Sequence, residues 1–305
     1  MSNQMSFKYK FLKGVFKTLH IQSLMAMPPE KTQKLFKLGY KGENIPTLSD
    51  PEFDIERTKV NECSVVWYKH KKENKRVCIY LVGGGMLKYP KPSQNKEVLH
   101  LAKTCQIDFV LPYYPILFTG NTVLDVYDML YALYKKVLEN YEAKNIYFLG
   151  GSSGANFALG LVSHINKKGE GLPLPGKIYA GSPGTLLLTE EEKRKMAELE
   201  KVDVILSKKA LYSIWEGMTG DKEIPDYMKY LQLGDYTGLK SVYMSFGSEE
   251  VFYACADSIK EKLEKYGVDV TLEIGEGLYH SYAAFPLIKE SEQGYHNMIE
   301  YISHE

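Results

Sequence analysis

The sequence predicts an α/β protein built on a mainly parallel sheet with helices on both faces. Three observations lead there. After Val60, β-rich runs alternate with helical patterns along most of the chain. Two of the β-rich runs pass straight into glycine-rich turns, at Gly83 and Gly150. Finally, 305 residues with 44% hydrophobic and 25% charged side chains suffice for one large core carrying an insertion.

In chain order, the first fifty residues read as helices joined by loops. Residues 7–17 interleave lysines with aromatics and are expected to form a helix with one face on the protein and its lysines in water. Pro28-Pro29 open a second helix ending near Gly39, and residues 42–51 are rich in turn formers. Residues 63–68 and 76–82 are β-rich and flank a charged turn, which predicts a hairpin. Then follow a strand at 107–111, a helix at 124–141, a strand at 146–149, a helix at 155–165 and a strand at 177–180. Between Gly184 and about Gly238 the alternation stops. A charged helix around 190–201 and a loop-rich stretch holding Trp215, Met218 and Pro225 read as an insertion on the sheet. The alternation resumes with a strand at 241–246, a helix at 254–266, a strand at 268–274 and a last helix near 293–302.

Charge and composition narrow the partners. The chain balances 38 basic against 38 acidic residues, so no overall field attracts a phosphate backbone and nucleic acid is not expected. Residues 1–40, however, hold seven lysines against one acid, Glu30. No apolar h-region marks a secretory signal and no run reads as a membrane span. The cytoplasm is therefore the expected address, with membrane-surface contact by the basic N-terminus the lesser expectation. Cys63, Cys78, Cys105 and Cys255 lie far apart, which predicts reduced, mostly buried thiols and no zinc site.

The strand at 146–149 enters Gly150-Gly151-Ser152-Ser153-Gly154 and then a helix, which is G-x-S-x-G in strand–turn–helix context. Such a turn needs small neighbours and lifts the serine hydroxyl to the carboxyl edge of the sheet. A serine nucleophile needs a base. Of the histidines after Ser152, His164 lies about three turns into the helix that the serine opens, and His296 and His304 lie in the last helix and tail. His280 follows the strand ending at Ile274, at the serine's edge of the sheet, and is the candidate base. An orienting carboxylate is expected from Glu249 or Glu250 after Phe246, with Asp257 and Glu276 as weaker competitors. Gly83, Gly84 and Gly85 follow a β-run. Backbone N–H groups of Gly83, Gly84 and Ser153 are candidates for an oxyanion hole. No G-K-[ST] or G-x-G-x-x-G pattern supports a nucleotide loop.

Over roughly residues 60 to 300 this set resembles the hormone-sensitive-lipase-like branch of the α/β-hydrolases, the bacterial acetyl esterase and carboxylesterase group. The family's H-G-G-G appears as Val82-Gly83-Gly84-Gly85 and its G-D-S-A-G-G-N as Gly150-Gly151-Ser152-Ser153-Gly154-Ala155-Asn156. Its acid loop appears as Gly247-Ser248-Glu249-Glu250-Val251-Phe252 and its G-x-x-H as Gly277-Leu278-Tyr279-His280. The resemblance implies an α/β-hydrolase fold and puts the acid at Glu250. It divides the chain into a core of 56–184 and 236–305 under a helical cap made of 1–55 and 185–235. Val82 stands where the family has the histidine that braces the oxyanion loop, and Gly151 where it has aspartate.

The expected activity is hydrolysis of short-to-medium acyl esters through Ser152, His280 and Glu250 with an acyl-enzyme intermediate, requiring no cofactor and no metal. A small-molecule ester is the expected partner, and a homodimer is compatible with the sequence. Met86, Trp215 and Met218 are the candidate substrate contacts, joined by Met25, Met27 and Tyr212 from the cap. Peptidase or amidase action on the same triad, and a non-catalytic ligand-binding homologue, are the alternatives.

Overall fold

A computed structural model describes residues 5–40, 42–284 and 288–304; residues 1–4 and 41 of the expected cap and residues 285–287 and 305 of the expected core lie outside the described residues. Eight strands are described: β1 (Phe53–Val60), β2 (Cys63–His70), β3 (Val77–Leu81), β4 (Asp108–Pro112), β5 (Ile146–Gly151), β6 (Lys177–Gly181), β7 (Ser241–Gly247) and β8 (Asp269–Gly275). They form one sheet in the order β1-β2-β4-β3-β5-β6-β7-β8. Only β2 runs against its neighbours; the pairs from β4 to β8 are parallel.

The helices are α1 (Phe7–Thr18), α2 (Ile21–Met25), α3 (Pro29–Leu38), α4 (Pro92–Cys105), α5 (Val123–Leu138), α6 (Ser153–Lys168), α7 (Glu190–Leu199), α8 (Lys208–Thr219), α9 (Asp226–Lys229), α10 (Ala256–Lys265) and α11 (Lys289–Ser303). None is long and apolar enough to cross a membrane, among the described residues.

Alternation along the central strands sends side chains to two cores. Val77, Ile79 and Leu81 of β3 join the core roofed by α5 and α6, whereas Cys78 and Tyr80 join the one roofed by α4 and α11. Central β3 and β4 are buried along their whole length, as parallel strands covered on both faces must be. Helix α6 is likewise apolar nearly all round and buried from Ser153 to Ile165.

Two expectations are corrected. The hairpin is formed by β1 and β2, not by β2 and β3. Its register brings Val60 opposite Cys63, and the two turn residues Asn61 and Glu62 have positive φ, the geometry of a two-residue hairpin loop. Strand β3 instead sits beyond β4, between β4 and β5, where helices cover both of its apolar faces. The stretch around Trp215 is not loop-rich: it is helix α8, capped by the Ser207 hydroxyl accepting from the Ala210 N–H at 3.1 Å. Helix α4 between β3 and β4 is not among the elements the sequence predicts. The cysteines follow expectation: all four are free thiols, with Cys78, Cys105 and Cys255 buried and Cys63 half-buried.

Candidate active site

Parallel strands put their following loops at one edge of the sheet, and four such loops meet here. After β3 come Gly83–85, after β5 Ser152, after β7 Glu250 and after β8 His280.

Ser152 links β5 to α6 with φ 54° and ψ −123°, a conformation side chains rarely hold. Its N–H donates to the Gly181 carbonyl at 2.8 Å, and its own carbonyl accepts from Gly184 at 3.1 Å. Glycine at 154 is obligatory: a Cβ there would lie 1.9 Å from the Leu81 carbonyl oxygen. Gly83 is equally constrained, its Cβ position being 2.3 Å from the Gly151 carbonyl oxygen, which is how the glycine loop comes to lie on the serine turn.

His280 bridges serine and acid. Its Nε2 is 2.9 Å from Ser152 Oγ and its Nδ1 is 2.6 Å from Glu250 Oε2. A carboxylate only accepts, so Nδ1 carries the proton and Nε2 is left to accept from the serine hydroxyl. Glu250 is fully buried and its other oxygen accepts from the Gly247 N–H at 3.2 Å. Glu249 points elsewhere, its carboxylate paired with Lys13 of α1. Asp257 pairs with Lys195 instead of turning to the histidine. Ser281, also at positive φ, donates its N–H to Ser182 Oγ at 2.9 Å and so fixes the histidine loop.

Among the described residues, the N–H groups of Gly83, Gly84 and Ser153 have no hydrogen-bond acceptor, and all three residues line the cavity that Ser152 faces. Ser153 also opens the 16-residue helix α6, whose N-terminus favours negative charge. Two braces hold the glycine loop that no sequence motif announces. The Tyr114 hydroxyl donates to the Val82 carbonyl, and Ser153 Oγ accepts from the Gly85 N–H at 2.9 Å. Where the related motif has a histidine, a tyrosine from the end of β4 holds the loop.

Asp203 was missed as well. Buried behind the acid loop, it accepts from the N–H groups of Ile205 and Leu206 on one oxygen and from Val251, next to Glu250, on the other at 2.9 Å. Burial pushes its carboxyl up to about 6, against the pull of those three donors and of His280. No local motif announces its tie to the acid loop, because Val251 lies 48 residues downstream.

The cavity has a volume of about 420 Å³ and its walls include Met25, Ile214, Trp215, Met218 and Phe252. Met86 is not among its lining residues. Its side chain is 1% exposed in the core around α5 and α6, because positive φ turns the chain at that point. Met27 and Tyr212 do not line the cavity either. Met27 offers its carbonyl to the Ser213 hydroxyl, and Tyr212 is 40% exposed.

His164, the rejected base, lies away from the serine among Tyr127, Tyr131 and Tyr227, with Nδ1 2.8 Å from the Tyr227 hydroxyl. Burial pushes its pKa from 6.5 down to about 4, with the Lys168 charge adding in the same direction. The unfolded chain therefore binds this proton first as pH falls. His164 contributes full stability above pH 6.5, lost progressively as pH drops through 6.5 toward 4, to a limit of about 3 kcal/mol. His164→Gln is expected to show a shallower fall of Tm between pH 7 and pH 4.5. An unchanged slope would assign the acid sensitivity to other groups.

Comparison with known proteins agrees with this architecture. An esterase of Acinetobacter venetianus is 28% identical over 181 residues, covering 59% of this chain and 56% of that protein, so the match spans little more than half of the relative's length. A solved structure of an esterase from the bacterial hormone-sensitive lipase family superposes with a TM-score of 0.72 at 18% identity, over 90% of this chain and 97% of that one. A double mutant of another esterase gives 0.77 at 18% identity over 99% of both chains. Residues 78–284, which hold the serine turn, the acid loop and the histidine loop, match the profile of the alpha/beta hydrolase fold, and the chain belongs to that family.

Proposed function

We propose that this chain is a serine carboxylic-ester hydrolase acting on short-to-medium acyl esters. The observation that carries the reading is the unbroken hydrogen-bond chain from Ser152 through His280 to Glu250, opening on an apolar cavity beside free backbone donors. The esterase relatives support the same chemistry.

In the first step Ser152 Oγ attacks the ester carbonyl carbon as its proton passes to His280 Nε2. The imidazolium so formed is stabilised by Glu250, which stays ionised. The tetrahedral oxyanion accepts from the N–H groups of Gly83, Gly84 and Ser153 at the head of α6. Collapse breaks the bond to the alcohol, which leaves with the proton from His280. Water then attacks the acyl-enzyme, gives its proton to His280 and releases the acid, and the serine recovers its proton.

Residues 1–55 and 185–235 act as the two parts of a cap, strand β1 from Phe53 onward being part of the sheet. Their mutual bonds support this: the Gln22 amide donates to the carbonyls of Glu200, Asp203 and Leu206, and Ser213 donates to Met27. Trp215 and Met218 of α8 line the cavity, and in this reading they bound the space for the acyl chain. Acetyl to hexanoyl esters are expected to outperform chains of twelve carbons or more. Trp215→Ala is expected to admit about two further methylenes at about 0.8 kcal/mol each, raising kcat/KM on decanoyl esters about tenfold. A chain-length profile unchanged by Trp215→Ala would remove this residue from the substrate site.

A further inference from the structure

Helix α1 has two unlike faces. With about 100° between successive residues, Tyr9, Leu12, Lys13 and Phe16 share one side. That side is committed to the protein: Tyr9 stacks on Tyr279 with ring centroids 5.9 Å apart, Phe16 meets Tyr279 edge-on, and Lys13 pairs with Glu249. The opposite side is centred on Phe7, Phe11, Gly14 and Thr18, all exposed. Phe7 is 84% and Phe11 65% exposed, and Leu19 just beyond the helix is 61% exposed. Exposed lysines border this apolar stripe on both flanks, Lys8 on one and Lys10 and Lys17 on the other. Among the described residues none of these three makes an ion pair, and residues 5–29 contain no acid.

A helix that needed only to be soluble would turn polar side chains outward. Two phenylalanines presented to water with lysines on either flank fit a different solvent, in which rings enter the acyl boundary while ammonium groups stay at the level of anionic headgroups. The local excess of cations on a chain of zero net charge gives the complementary sign. We propose that the outer face of α1 docks on an anionic lipid surface, with Phe7 and Phe11 entering the headgroup boundary and Lys8, Lys10 and Lys17 meeting lipid phosphates. Phe16 of the same helix lines the cavity, so docking sets the cavity beside the bilayer. The proposal is independent of the ester-hydrolase reading, because its test reads binding and not turnover.

The test is flotation of the full chain with vesicles of phosphatidylcholine alone or mixed with phosphatidylglycerol. The chain is expected to float with the mixed vesicles, at least about tenfold less with phosphatidylcholine alone, and progressively less as salt shortens the Debye length. Phe7→Ser with Phe11→Ser is expected to lower partitioning by about tenfold or more at unchanged Tm. The triple change Lys8→Gln, Lys10→Gln, Lys17→Gln is an independent second variant with the same expected loss. Absence of flotation, equal flotation with neutral vesicles, or flotation indifferent to both variants would overturn the proposal. So would a homodimer in sedimentation that Phe7→Ser with Phe11→Ser dissolves, since the stripe would then be a protein interface.

Discussion

Ser152→Ala and His280→Ala are each expected to remove ester hydrolysis, by about 10⁶-fold in kcat, the scale found when a serine or histidine is deleted from a triad that works as a unit. The two changes are expected not to add. Once Ser152 is gone, the imidazole 2.9 Å away has no proton to take, and once His280 is gone, the hydroxyl is not activated at neutral pH. Initial rates on p-nitrophenyl butyrate, corrected for spontaneous hydrolysis, give the measurement. Residual turnover over water is expected from the oxyanion donors alone, at about 10³-fold to 10⁴-fold. A folded Ser152→Ala variant with parental rates would make the serine turn a mere turn.

Glu250→Gln is expected to cost about 10⁴-fold in kcat while Glu249→Gln costs less than about tenfold. The two residues are neighbours with opposite fates. Glu250 is fully buried, with one oxygen on the Gly247 N–H and the other 2.6 Å from His280 Nδ1. An amide in its place can keep the first bond through its oxygen but turns an NH₂ toward the histidine. That forces Nδ1 to accept and moves the ring proton to Nε2, where it blocks the serine. Glu249 meets Lys13 at the protein surface, where an ion pair is worth little. The opposite ranking of the two variants would move the acid by one residue.

Much of the site was legible because its parts are local. A strand that ends in small residues and a serine, a glycine run after a β-run, and a histidine after the last strand each announce themselves within six residues. The parallel sheet then brings their loops to one edge. What could not be read involves partners distant in sequence. The Tyr114 hydroxyl on Val82 spans 32 positions and the Asp203 carboxylate on the Val251 N–H spans 48, and neither leaves a pattern along the chain. The hairpin was misplaced for a different reason. Strand β1 is an edge strand with only its terminal residues fully buried, so it lacks the apolar alternation that reveals a strand. Met86 was misassigned because adjacency to the glycine loop says nothing about which way a residue at positive φ points its side chain.

The identity of the nucleophile is tested most directly by treating the chain with a fluorophosphonate and mapping the adduct by peptide mass spectrometry. A phosphonyl fluoride loses fluoride far faster to an oxygen that a neighbouring base has activated than to an ordinary hydroxyl. The expected result is one adduct per chain, on Ser152, absent from Ser152→Ala and strongly slowed in His280→Ala. No adduct on the folded parent chain, or an adduct on a different serine, would contradict the assignment of Ser152 and of the reaction built on it.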